Sequence, residues 1–92
     1  MRCVFRKRVG KWEIRVFEVL SGKYGFQFIQ YKYDRKLGQH KVVRRLYIAP
    51  YDSEKHRKSV MALLPKYLQE EAQRVIRYYT TWVKKYDEVF GL

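Results

Sequence analysis

Residues 11–20, KWEIRVFEVL, decide the fold. Trp12, Ile14, Val16 and Leu20 alternate with Lys11, Glu13, Arg15 and Phe17, and Glu18 is the one break in the pattern. Side chains that change face at every residue are the mark of a strand with one face on a core. The strand needs partners, and the flanking segments supply them. Residues 2–9 (RCVFRKRV) form a short basic strand that ends at Gly10. Ser21-Gly22-Lys23-Tyr24-Gly25 provides glycines for a hairpin turn. Residues 26–33 (FQFIQYKY) are an aromatic-rich strand, Asp34–His40 a polar turn with Gly38, and residues 41–49 (KVVRRLYIA) a last strand. Pro50, which has no backbone donor, closes it.

Beyond Pro50 the period changes. Asp52 or Ser53 can cap a helix, with Glu54 in its first turn. Pro65 would remove a hydrogen bond from a helix interior and crowd the preceding turn. The reading is therefore a short helix over 54–64 and a long one over 65–89 with Pro65 at its first position. Leu68, Ala72, Val75, Tyr79, Trp82, Tyr86 and Val89 follow one another at alternating spacings of four and three. That seam covers a sheet and also suits a second copy of the same helix. Leu68, Val75, Tyr79, Trp82, Tyr86 and Val89 are accordingly the expected homodimer interface. The fold class is α+β: an antiparallel sheet of about four strands over 2–49, with both helices on one face. The 92 residues fit a single domain.

Charge is distributed along the same division. The chain carries 21 Lys and Arg against 9 Asp and Glu, a formal net charge of +12. Residues 1–51 hold 13 of the cations and 3 of the anions. A surplus on this scale suits a polyanion, with nucleic acid first and an anionic membrane surface second. The sequence has no apolar run long enough for a transmembrane helix, and the basic N-terminus lacks the apolar centre of a signal peptide. The single cysteine, Cys3, fits a reducing compartment. The expectation is a cytoplasmic protein with no membrane partner. The absence of Asn is in keeping with a thermophilic source.

Ten of the 16 aromatic residues also lie within residues 1–51. With Trp12, Ile14, Val16, Ile29, Tyr31, Val42, Leu46 and Ile48 turned to the helices, the opposite sheet face presents Lys11, Arg15, Phe17, Phe26, Phe28, Gln30, Lys32, Arg45 and Tyr47. Exposed rings there would stack on bases, and the neighbouring cations would follow the phosphates. Arg35, Lys36, Lys41 and Arg44 extend the path at the hairpin end. A register slip or bulge would exchange the two faces of a strand, and residues 26–33 are the most exposed to that error because both of their faces are apolar.

Signals of catalysis are weak. His40 and His56 stand in no metal-ligand spacing, and the chain has neither a glycine-rich phosphate loop nor a nucleophile elbow. Glu70 and Glu71 are neighbours on a helix and point apart. The expectation is a binding protein, not an enzyme, with no cofactor and no metal.

The order of elements resembles two groups of single-stranded-DNA-binding proteins. One is the Whirly and transcriptional-coactivator type; the other is the archaeal type of the Thermoproteales and its shorter relatives. The residues that carry the resemblance are Arg15, Phe17, Phe28, Lys32, Arg45 and Tyr47 on the strands and Leu68 to Val89 on the helix. It spans nearly the whole chain and rests on patterning, with no signature motif; Pro65 and the extra short helix depart from the plan. It implies a curved sheet that binds single strands with little sequence preference, and helices that join two subunits. The alternatives are a duplex-DNA-binding sheet module, a small nuclease and a protein-interaction domain that dimerises through its long helix. DNA and RNA are not distinguished by composition.

Overall fold

The computed structural model describes the backbone of residues 1–90 and the side chains of residues 1–80. Four antiparallel strands, β1 (Arg2–Val9), β2 (Trp12–Leu20), β3 (Lys23–Asp34) and β4 (Gln39–Ile48), form one meander in chain order. Two helices follow, α1 (Glu54–Leu63) and α2 (Lys66–Phe90). The α+β architecture is therefore the one read from the sequence. Gly10, Gly22 and Gly38 each adopt a positive φ in one of the three hairpin turns. An L side chain resists that conformation, so these glycines fix where the chain reverses.

The helix starts follow the capping chemistry. The Ser53 hydroxyl accepts from the His56 backbone N–H at 3.2 Å, which settles the cap of α1 on Ser53. Asp52 instead binds backwards, accepting from the Ala49 N–H at 2.6 Å. α2 begins one residue later than expected. The Pro65 carbonyl accepts from Leu68 and Gln69 while its ring remains outside the helix. Gln69 then donates to the carbonyls of Met61 and Leu64, both at 2.9 Å, and so ties the two helices together at their junction.

Both helices lie on one face of the sheet. The core joins Trp12, Ile14, Val16, Phe26, Phe28 and Ile48 of the strands to Val60, Leu64, Leu68, Ala72 and Val75 of the helices. Tyr79 completes it at one end, within ring-stacking distance of Phe5, Tyr24 and Phe26. The seam on α2 thus covers its own sheet. Leu68 and Val75 are buried within the chain and are not open to a second copy, whereas Tyr79 packs on the core and stays partly exposed. The side chains of Trp82, Tyr86 and Val89, the rest of the expected interface, lie outside the described residues.

The structure corrects the facing of β3. Its register pairs Phe28 with Ile14 and Leu46, and Phe26 with Val16 and Ile48. Cross-strand partners share a face, so Phe26 and Phe28 point to the helices and are core residues, 4% and 0% exposed. Neither is available to bases. By the same alternation Gln30 and Lys32 lie on the helix side, while Ile29, Tyr31 and Val42 lie on the other. β2 and most of β4 face as expected. At Val43, however, β4 carries an extra residue between the pairs Gln30–Arg44 and Tyr31–Val42. Arg44 lies on the helix side beside Gln30 by plain alternation from Leu46, and the bulge turns Val42 to the outer face and Lys41 to the helix side.

Candidate nucleic-acid interface

The sheet face turned away from the helices, here the outer face, is built by all four strands. β1 contributes Arg6 and Arg8, which pair with Arg15 and Glu13. β2 contributes Glu13, Arg15 and Phe17; β3 contributes Gly25, Gln27, Ile29 and Tyr31; β4 contributes Arg45 and Tyr47. Among the described residues no helix packs on this face.

Four arginines tile it around a single carboxylate. Glu13 is nearly buried although it lies on the outer face, because Arg6 and Arg15 close over it. Arg6 Nε lies 3.5 Å from Glu13 Oε1, and Arg15 Nε donates to the same oxygen. That hydrogen bond is the main reason the Arg15 guanidinium is held above its ordinary value, so Arg15 stays cationic. Arg15 also donates to the Tyr31 hydroxyl at 3.5 Å. Arg8 rests over the Tyr31 ring, 4.3 Å from its centroid. Beneath this layer Ile29 is 1% exposed. The arginine stems bury apolar surface while their heads remain at the solvent boundary.

The aromatic part of the face lies toward the β2–β3 turn. Phe17 is half-buried and sits across from Gly25. The Tyr47 ring lies over Gly25, where a Cβ would come within 2.7 Å of Tyr47 Cζ. Glycine at this position lets the ring lie flat on the strand. Tyr47 remains exposed, and Tyr33 continues the surface at the other end in edge contact with His40.

Of the residues expected to bind, Arg15, Phe17, Arg45 and Tyr47 come together on the outer face. Lys11 lies in the β1–β2 turn at its margin, where its carbonyl accepts from the Tyr31 N–H. Phe26 and Phe28 are in the core. Lys32 and Arg44 are on the helix side, and Arg35 and Lys36 are at the tip of the β3–β4 hairpin. Sequence reasoning passed over Arg6 and Arg8, turned Tyr31 to the helices, and placed Glu13 on this face without a part in binding. The period-2 pattern of Arg6 and Arg8 in β1 held the signal for the two arginines.

The β3–β4 hairpin outruns the rest of the sheet. β2 is paired with β3 only as far as Trp12 opposite Gln30, whereas β3 and β4 continue to Asp34 opposite Gln39. The result is a two-stranded arm, exposed almost throughout. Asp34 organises its tip. Oδ1 accepts from the backbone N–H groups of Lys36 at 2.9 Å and Leu37 at 3.3 Å, and Oδ2 pairs with Lys41 at 2.9 Å. The Lys41 hydrogen bond, followed by that from Leu37, holds the carboxyl below its ordinary value.

Among the described residues no His, Cys, Asp and Glu cluster has the makings of a metal site, and no helix is long and apolar enough to cross a membrane. Compared with protein-family models, with curated proteins and with solved structures, the chain finds no match in any of the three.

Proposed function

We propose that this protein binds single-stranded nucleic acid, with little sequence preference, through the outer face of its sheet, and that it is a binding module without catalysis. One observation carries the reading. A sheet face left uncovered by the helices bears Arg6, Arg8, Arg15 and Arg45 around Phe17, Tyr31 and Tyr47, and its one carboxylate is already bonded to two of those arginines. Guanidinium groups suit phosphate oxygens. Flat aromatic and arginine surfaces suit unstacked bases, which a single strand offers and a duplex conceals. The loss of Phe26 and Phe28 to the core leaves a smaller aromatic platform and shifts weight to the arginines.

Fluorescence anisotropy with labelled single-stranded DNA, single-stranded RNA and duplex DNA of equal length, over a salt series, tests this. The reading expects tighter binding to the single strands and weaker binding of the double variant Arg15→Gln/Arg45→Gln. Equal binding to all three probes that vanishes at moderate salt would overturn it in favour of a generic polyanion surface.

A further inference from the structure

The arm carries a second cationic site on the side opposite the outer face. Lys32 and Asp34 continue the alternation of Phe28 and Gln30, and Lys41 pairs with Lys32, so all three belong to the helix side of β3–β4. With Tyr33, Arg35, Lys36 and Val43 they line an open cleft of ≈ 390 Å³ beyond the β2 end of the sheet. Four cations surround it. Its only carboxylate, Asp34, is engaged by Lys41 and two backbone amides, so it neutralises one cation and no more. Lys32, Arg35 and Lys36 form no ion pair among the described residues, and such a cluster attracts phosphate.

The edge of the sheet joins this cleft to the outer face. β4 is an edge strand and is exposed from Gln39 to Arg45. At the Val43 bulge two consecutive arginines take opposite sides: Arg45 pairs with Ile29 on the outer face and Arg44 with Gln30 on the helix side. A polyanion that crosses the free edge there meets a cation on each side of it.

We infer that the cleft lined by Lys32, Arg35, Lys36 and Lys41 takes a phosphate group of a strand already bound to the outer face, reached over the β4 edge between Arg45 and Arg44. The inference rests on the single-strand reading and deepens it. Turning over the edge of one sheet is within the reach of a single strand. A duplex, with a persistence length of about 50 nm, does not fold over the edge of a single strand. The arm is then a post that the strand rounds.

Affinity measured against strand length tests the inference. Wild type and Lys32→Gln/Lys36→Gln are titrated with oligo-dT from about 4 to about 16 nucleotides, the span of typical single-strand sites. Both substituted side chains are exposed, and neither forms an ion pair or side-chain hydrogen bond among the described residues. Wild type is expected to gain affinity once the strand is long enough to round the edge, and the double variant to lose about tenfold of that gain, the scale of a charge-assisted contact. A variant whose gain with length equals that of wild type overturns the inference, whether its affinities are all unchanged or all lowered by one factor. A short oligo-dT with a 5′-phosphate separates the two sources of the group. If it restores the gain in wild type alone, the cleft takes a strand end; if it does not, the cleft takes a backbone phosphate. Failure of the outer-face reading looks different, because Arg15→Gln/Arg45→Gln would then leave the shortest oligonucleotides bound as before.

Discussion

Phe17 and Phe28 are both strand phenylalanines, and the sheet gives them opposite tasks. Phe28 is fully buried between Ile14 and Leu46. Phe28→Ala is expected to cost about 3–5 kcal/mol by urea unfolding, the usual range for a lost core ring, which is enough to threaten so small a domain. Phe17 sits half-buried on the outer face. Phe17→Ala is expected to leave a folded protein whose single-strand affinity falls by about 1–3 kcal/mol if its ring stacks on a base. Circular dichroism beside the anisotropy titration checks both halves of that statement. Glu13 is the third informative residue. Glu13→Gln adds a net positive charge to a polyanion-binding face, so diffuse electrostatics alone would strengthen binding. It also releases Arg6 and Arg15 from a shared anchor. The expected result is weaker binding, together with a stability loss of about 1 kcal/mol, reduced from the buried-pair value because Arg6 is largely exposed. Tighter binding by Glu13→Gln would show that the anchor has no part in presenting the arginines.

Among the elements, α2 is tied to the sheet by more than apolar packing. Lys7, on the helix side of β1, pairs with Glu71 of α2 at 2.9 Å, and Glu71 also meets Arg74 at 3.2 Å. Hydrogen bonding from Lys7 holds the Glu71 carboxyl below its ordinary value of 4.5. A depressed folded value means that the contribution to stability is present in full above the unfolded value and disappears as pH falls through the folded one. Urea midpoints of wild type and Glu71→Gln are therefore expected to differ near neutral pH and to converge in acid below the carboxylate range. A difference that persists in acid would assign the effect to packing. The order of the elements was legible because β2 alternates cleanly and α2 keeps its four-and-three spacing, and those two patterns also face each other across the core. The facing of β3 was not legible. Phe26 and Phe28 compete with Ile29 and Tyr31 in a strand whose two faces are both buried, one by helices and the other by arginine stems. Hydrophobicity alone does not rank those covers. The Val43 bulge then turned Val42 to the outer face and Lys41 to the helix side, the reverse of what unbroken alternation with Leu46 and Arg45 gives, and nothing in the local sequence announces a bulge.

At the scale of the whole molecule, the formal charge of +12 is gathered on the strands and arm, away from a helix layer that is close to balanced. Such an arrangement draws in any polyanion at low salt, so attraction alone does not identify the partner. The salt dependence separates the contributions. For a single strand, log affinity falls with log salt by about 0.7 for each phosphate neutralised. If Arg15 and Arg45 each hold one phosphate, Arg15→Gln/Arg45→Gln is expected to flatten the slope by about 1.4 in addition to lowering the affinity. Stacking on Phe17 and Tyr47 releases no counterions, so Tyr47→Phe, which keeps the ring, is expected to leave the slope as it was. A parallel downward shift in the arginine variant, with the wild-type slope retained, would mean that those guanidiniums act through bases or through the fold. A flatter slope would place them on the phosphates, with the rings between them left for the bases.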